Sequence, residues 1–118
     1  MIKDFHDLKV YNGSKTLFVD TARICQSFPN EGRYLKSQIL RAGNSIHANI
    51  AEGFGRSEAE FRQYLTRSLG SNNEIISHLE DAYALGYISQ KDFKNLSDGY
   101  TVLGKQIYQL KTNWKTFS

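Results

Sequence analysis

Cysteine occurs once in these 118 residues, at Cys25. A single thiol excludes an intrachain disulfide and a thiolate metal cluster. Proline also occurs once, at Pro29, so long helices can run uninterrupted on either side of it. No apolar run approaches the ~18 residues that a membrane-spanning helix needs. The opening MIKDFHDLKV lacks the apolar stretch of a secretory leader. These absences lead to the expectation of a cytoplasmic chain with no membrane partner. What is present is an ordinary globular composition, 40% apolar and 23% charged. It suffices for one domain, residues 1–118, with its own core.

Charge is unevenly placed. Residues 33–67 hold Arg33, Lys36, Arg41, Arg56, Arg62 and Arg67 against Glu52, Glu58 and Glu60, an excess equal to the whole net charge of +3. Five of the six arginines lie there, and arginine suits phosphate and carboxylate recognition better than lysine does. The alternative is a solvated helix face with internal ion pairs.

Hydrophobic periodicity predicts four helices. The first covers residues 5–27, with Leu8, Tyr11, Phe18, Ala22 and Cys25 on one side and Val10, Leu17 and Ile24 beside them. Gly13 weakens it by ~1 kcal/mol relative to alanine, and Phe28-Pro29-Asn30 ends it. The second starts between Glu31 and Tyr34 and runs to Phe54, with Leu35, Ile39, Ala42, Ile46 and Ile50 inward and Gly53 and Gly55 as turn glycines. Ser57 with Glu60 opens the third. Its core candidates are Phe61, Leu65, Leu69, Ile76, Leu79 and Ala82 or Tyr83, and it ends near Gly86. Ser89 with Asp92 opens the fourth, whose seam Phe93, Leu96, Tyr100, Leu103, Ile107, Leu110, Trp114 and Phe117 alternates spacings of three and four. Short connections make sequential helices antiparallel neighbours. The fold class is therefore all-α, an up-and-down antiparallel four-helix bundle.

Catalytic patterns are missing. No acidic residue has histidine three positions later, the Glu-x-x-His signature of di-metal bundles. His6, His47 and His78 fall in different segments and read as surface or boundary residues. Cys25 reads as core. EGFGR lacks the spacing and the Lys-Ser/Thr of a phosphate loop. No catalytic residue, metal site or cofactor is expected, and the chain does not read as an enzyme. Two polar stripes remain. Gln38, Arg41, Ser45, Asn49 and Glu52 share a face of the second helix, and Glu60, Tyr64, Arg67, Ser71, Glu74, His78 and Asp81 a face of the third. Ala42, Ala48 and Ala51 flank the first stripe, which suits a subunit interface or an internal polar network, where short polar groups pair.

FHDLKVY, FP-x-E, LKSQILRAGNSIHANIAEGFGRS, EFRQYL and GSNNEIISHLEDAYALGYIS, followed by the heptad helix, together resemble the bacterial family named for proteins encoded in intervening sequences of 23S rRNA genes. The resemblance covers essentially the whole chain. Tyr11 stands where tryptophan is common and His47 where proline is common, and Gly13 interrupts the first helix. More distantly, the chain is similar to the accessory variability determinant of diversity-generating retroelements, a basic pentameric bundle that partners a reverse transcriptase and nucleic acid. The resemblance implies a four-helix bundle, a homo-oligomer with a tendency to ring-shaped pentamers, and no established enzymatic activity.

The functional expectation is an oligomeric bundle that binds nucleic acid, RNA foremost, through phosphate contacts from Arg33, Lys36, Arg41, Arg56, Arg62 and Arg67. Arg41 fits this least, since its stripe can be buried. Gln38, Ser45, Asn49 and Glu52 form the interface or network set. The runner-up is a protein–protein adaptor or accessory subunit of a nucleic-acid-processing complex.

Overall fold

The computed structural model describes residues 1–115. A 3-10 turn at Phe5–Asp7 precedes α1 (Lys9–Cys25), and a second at Asn30–Gly32 leads into α2 (Arg33–Gly53). α3 (Glu58–Ala84) and α4 (Gln90–Asn113) complete an all-α, up-and-down bundle. Each helix packs on its sequence neighbour, most extensively α2 on α3, and α4 closes the bundle against α1. No helix of the described residues is long and apolar enough to cross a membrane.

Local chemistry explains the helix ends. The Ser57 hydroxyl oxygen accepts the Glu60 N–H at 3.2 Å, and that of Ser89 accepts the Asp92 N–H at 3.1 Å. Each satisfies one of the unpaired amides that open a helix. Gly86 takes φ +78°, and the Tyr87 N–H reaches back to the Ala82 carbonyl at 2.8 Å, so α3 ends in a left-handed glycine turn. Gly55, at φ +89°, turns the chain between α2 and α3. Gly53 differs from the turn glycine expected there. It is the last residue of α2 and is buried, because a Cβ would lie 2.7 Å from Cγ of Tyr64. Its missing side chain lets Tyr64 seat against the end of α2.

The core follows the expected stripes on α2, where Ile39, Ala42, Ile46 and Ile50 are buried and Leu35 is partly so. On α4, Leu96, Tyr100, Leu103 and Ile107 are buried and Phe93, Leu110 and Trp114 partly so. Phe117 lies outside the described residues. α1 and α3 depart from expectation. In α1 the inward positions include Ser14 and Thr21, while Phe18 and Ala22 are only half-buried. In α3 the buried seam is Phe61, Leu65, Ser68, Asn72, Ile75, Leu79 and Ala82. Leu69 and Ile76 flank it, and Tyr83 is 40% exposed.

The polar core positions are hydrogen-bonded between helices, as burial requires. Ser68 Oγ donates to the Ile46 carbonyl at 2.8 Å, and Asn72 Nδ2 to the Tyr100 carbonyl at 2.9 Å. Thr21 and Tyr100 hydroxyls meet at 2.8 Å. Burial pushes the Tyr100 phenol up to about 12. Cys25 is 1% exposed, and desolvation pushes its thiol up to about 11 despite the nearby Lys36, so it is protonated and inert at neutral pH.

Candidate nucleic-acid interface

The two polar stripes lie side by side along the outer seam of α2 and α3. Because the helices are antiparallel, α3 partners descend as α2 positions ascend. Arg41 pairs with Glu74, Ser71 Oγ donates to Ser45 Oγ at 2.9 Å, and the Tyr64 hydroxyl donates to Glu52 at 3.4 Å. Within α2, Arg41 also donates to Gln38 Oε1 at 3.0 Å, and Asn49 Nδ2 to Ser45 Oγ at 3.0 Å. His78 Nε2 lies 3.1 Å from Glu74. Burial works against the charge on Glu74. Hydrogen bonds from His78 and Arg41, with the Arg41 charge, outweigh it and hold the carboxyl below its ordinary value. All four of Gln38, Ser45, Asn49 and Glu52 thus have partners inside the chain.

The six basic candidates do not form one cluster. Arg62 turns away to the far end of α4. Its guanidinium donates to the Lys111 carbonyl at 3.2 Å and the Trp114 carbonyl at 2.5 Å, and pairs with Glu58 at 2.6 Å. Lys111 is in the last turn of α4, whose carbonyls lack intrahelical partners and carry the negative end of the helix dipole, and Trp114 is the residue that follows the helix. Arg62 therefore caps α4, and it fixes Trp114, whose ring packs on Phe61 at 4.8 Å. Arg41 is engaged with Gln38 and Glu74. Arg56 lies 3.6 Å from Glu60 and 4.0 Å from Glu52, long separations between half-exposed groups.

Arg33, Lys36 and Arg67 make no ion pair among the described residues. Arg67 is exposed, its guanidinium 4.6 Å from the Tyr64 ring centre, with Arg56 at 4.9 Å from the same ring. Tyr64 is thus a shared platform for two arginines. Arg33 and Lys36 sit in the first turn of α2, which has no acidic residue and no side-chain cap. Tyr34 between them is 75% exposed. The spacing of Tyr64 from Arg67 is readable in the sequence; the approach of Arg56 across the turn is not.

His47 overturns its surface reading. It is 6% exposed, 3.1 Å from Ser14 Oγ, and edge-on to the rings of Tyr11 and Phe18. His6 is exposed near Asp4, and His78 is half-buried against Glu74. Among the described residues no three His, Cys, Asp or Glu side chains gather in a metal-holding group.

No curated protein matches the chain. The fold is similar to a crystal structure of a protein of unknown function from the S23 ribosomal protein family of Bacteroides thetaiotaomicron VPI-5482. Identity is 27% and the TM-score 0.81, over 88% of this chain and 96% of that one. Residues 6–109 match the family described as 23S rRNA-intervening sequence protein. That span takes in all of α1, α2 and α3 and most of α4, the polar seam included, and the chain belongs to the family of 23S rRNA-intervening sequence proteins.

Proposed function

We propose that the protein is a non-enzymatic, oligomeric bundle that binds nucleic acid, RNA foremost, through phosphate contacts. The observation that carries this reading is a set of cations without carboxylate partners among the described residues: Arg33, Lys36 and Arg67. Two of them open α2. A cation at a helix N-terminus opposes the helix dipole, and an incoming phosphate relieves that repulsion. Exposed Tyr34 beside them offers a ring for a base to stack on. Arg56 supplements the set, since its long, exposed ion pairs are weak. Arg41 and Arg62 contribute through structure rather than contact.

A single +3 subunit binds weakly, and a homopentamer would multiply its charge fivefold. Exposed Val19, Leu85, Val102 and Tyr108 are available for subunit contacts. Filter binding of RNA across a salt series tests the reading. Affinity should fall steeply with salt, and no affinity at low salt, or affinity indifferent to salt, overturns it. Light scattering tests the oligomer separately: a mass near 13.5 kDa means a monomer. A pull-down partner that survives nuclease treatment, without RNA affinity, favours the adaptor reading instead.

A further inference from the structure

α1 packs less extensively on α2 and α4 than α3 does. It opens without a side-chain cap and with no acidic residue in its first turn, so its first amides lack both usual local supports. Gly13 follows one turn in, and polar Ser14 and Thr21 take inward positions. A groove of about 700 Å³ runs between α1 and α4, with Gly13 on one side and Gly99 on the other. A helix held this way is the one that opens first when packing is strained.

His47 sits in the joint between α1 and α2. It is buried, and its surroundings come from α1: Ser14 Oγ at 3.1 Å and the rings of Tyr11 and Phe18. On α2 it meets Asn44, a neutral amide at 3.5 Å. α2 carries no other charged or titratable side chain between Arg41 and Glu52. From α1, Lys15 faces the site, its Nζ 3.5 Å from the Tyr11 hydroxyl. From the first 3-10 turn, His6 stands against the Tyr11 ring and is itself paired with Asp4. From α4, the Tyr100 hydroxyl reaches this face at Gly43. The α3 groups Glu74 and His78 lie on the other side of α2, at Arg41. Among the described residues no carboxylate pairs with His47. A buried charge needs such a partner, and an imidazolium here would meet Lys15 instead.

We propose that α1 opens from the bundle as a unit, under the control of a proton on His47, while α2, α3 and α4 stay packed. The closed bundle refuses the proton, and the opened one accepts it at the ordinary value of 6.5. Opening is therefore rare above that value. Below it, opening becomes about tenfold more frequent for each pH unit, until the closed form also takes the proton. A freed helix of 17 residues interrupted by Gly13 does not hold its hydrogen bonds alone, so undocking also exposes its amides. Opening uncovers Gly43 and His47 on α2 and parts the Tyr100 hydroxyl from Thr21. The device stands apart from the phosphate reading, since Arg33, Lys36 and Arg67 lie on α2 and α3.

Amide hydrogen exchange of the full chain, followed by nuclear magnetic resonance in urea below the unfolding transition, tests it. It is run at about pH 7.5, 6.5 and 5.5, with the intrinsic exchange rates divided out. The α1 amides of Phe18 and Val19 should exchange through an opening that urea promotes weakly, since little surface is exposed. The α3 amides of Leu65 and Ile75 should exchange only through full unfolding, with a steep urea dependence. Full unfolding also frees His47, so the urea dependence, rather than the pH slope, separates the two events. Below pH 6.5 the α1 opening should become about tenfold more frequent per pH unit, and His47→Gln should remove that slope. One common urea dependence for α1 and α3 amides overturns α1 as a separate unit. A slope retained in His47→Gln overturns His47 as its control. The His47 ring protons of the unaltered chain give a check that needs no variant. They should titrate below 6.5, and titration at or above that value overturns the device.

Discussion

Ser14 on α1 and His47 on α2 are joined by a buried hydrogen bond of 3.1 Å, and the imidazole is walled by the rings of Tyr11 and Phe18. Desolvation first, and the Lys15 charge second, lower the pKa of His47 below its ordinary 6.5. On acidification through that value the unfolded chain takes up a proton that the folded chain refuses. The unfolded state then binds more protons, so stability is full above the ordinary value and is lost as pH falls towards the depressed one. Urea unfolding at about pH 7.5 and about pH 5.5 should show this loss. His47→Gln should show a smaller one, because the neutral amide does not titrate. Equal pH dependence in the two proteins would remove His47 as its source.

Two helical glycines should respond in opposite directions to alanine. At Gly53 the new Cβ would collide with Cβ of Tyr64, which moves only with the backbone of α3, and would also lie 2.7 Å from its Cγ. Gly53→Ala should therefore cost about 1–3 kcal/mol, as overpacking does. At Gly13 the Cβ would lie 3.8 Å from Leu103 Cδ1, an ordinary contact. Gly13→Ala should stabilise by about 0.5–1 kcal/mol through helix propensity. Chemical denaturation measures both, and a stabilised Gly53→Ala would contradict the packing assigned to Tyr64.

The Thr21–Tyr100 pair has a direction. Thr21 Oγ1 donates to the Leu17 carbonyl at 2.7 Å, so its one proton is committed and Tyr100 donates to Thr21. Thr21→Val leaves a buried phenol proton without an acceptor and should cost about 1–3 kcal/mol. Tyr100→Phe leaves Thr21 with its own donor satisfied and should cost less. The double variant should be no worse than the sum of its parts, and measurably better if the orphaned proton dominates. A larger loss for Tyr100→Phe than for Thr21→Val reverses the assigned direction.

Periodicity makes the bundle legible, because apolar spacing survives in any helix that packs on others. The inner register of α3 is not legible. Leu69 and Ile76 exceed Ser68 and Asn72 in hydrophobicity, yet Ser68 and Asn72 are the buried pair. They tolerate burial through bonds to Ile46 and Tyr100, carbonyls on other helices that no local pattern names. The burial of His47 is hidden for the same reason, its partner Ser14 lying on α1. The polar stripes themselves are visible as spacings. That they face each other across α2 and α3, and so satisfy one another, follows only from the antiparallel register.

Arg62 and Arg67, five positions apart on one helix, should separate structure from binding. Sequence treats them alike. Arg62 bonds two carbonyls at the end of α4 and a carboxylate, and it is only about a third exposed. Removing a charged donor from such partners costs about 1.5–3 kcal/mol, so Arg62→Ala should lower stability by that order and loosen Trp114, visible as a shift in tryptophan fluorescence. Arg67 is exposed and, among the described residues, holds only the Tyr64 ring. Arg67→Ala should change stability by less than about 0.5 kcal/mol. If the phosphate reading is right, it should also weaken RNA binding and reduce the salt slope by about one for each phosphate it no longer neutralises. Arg62→Lys, which keeps the charge and loses the fork of donors, should destabilise while leaving the salt slope unchanged. RNA affinity lost in Arg62→Lys and retained in Arg67→Ala would reverse the division of roles.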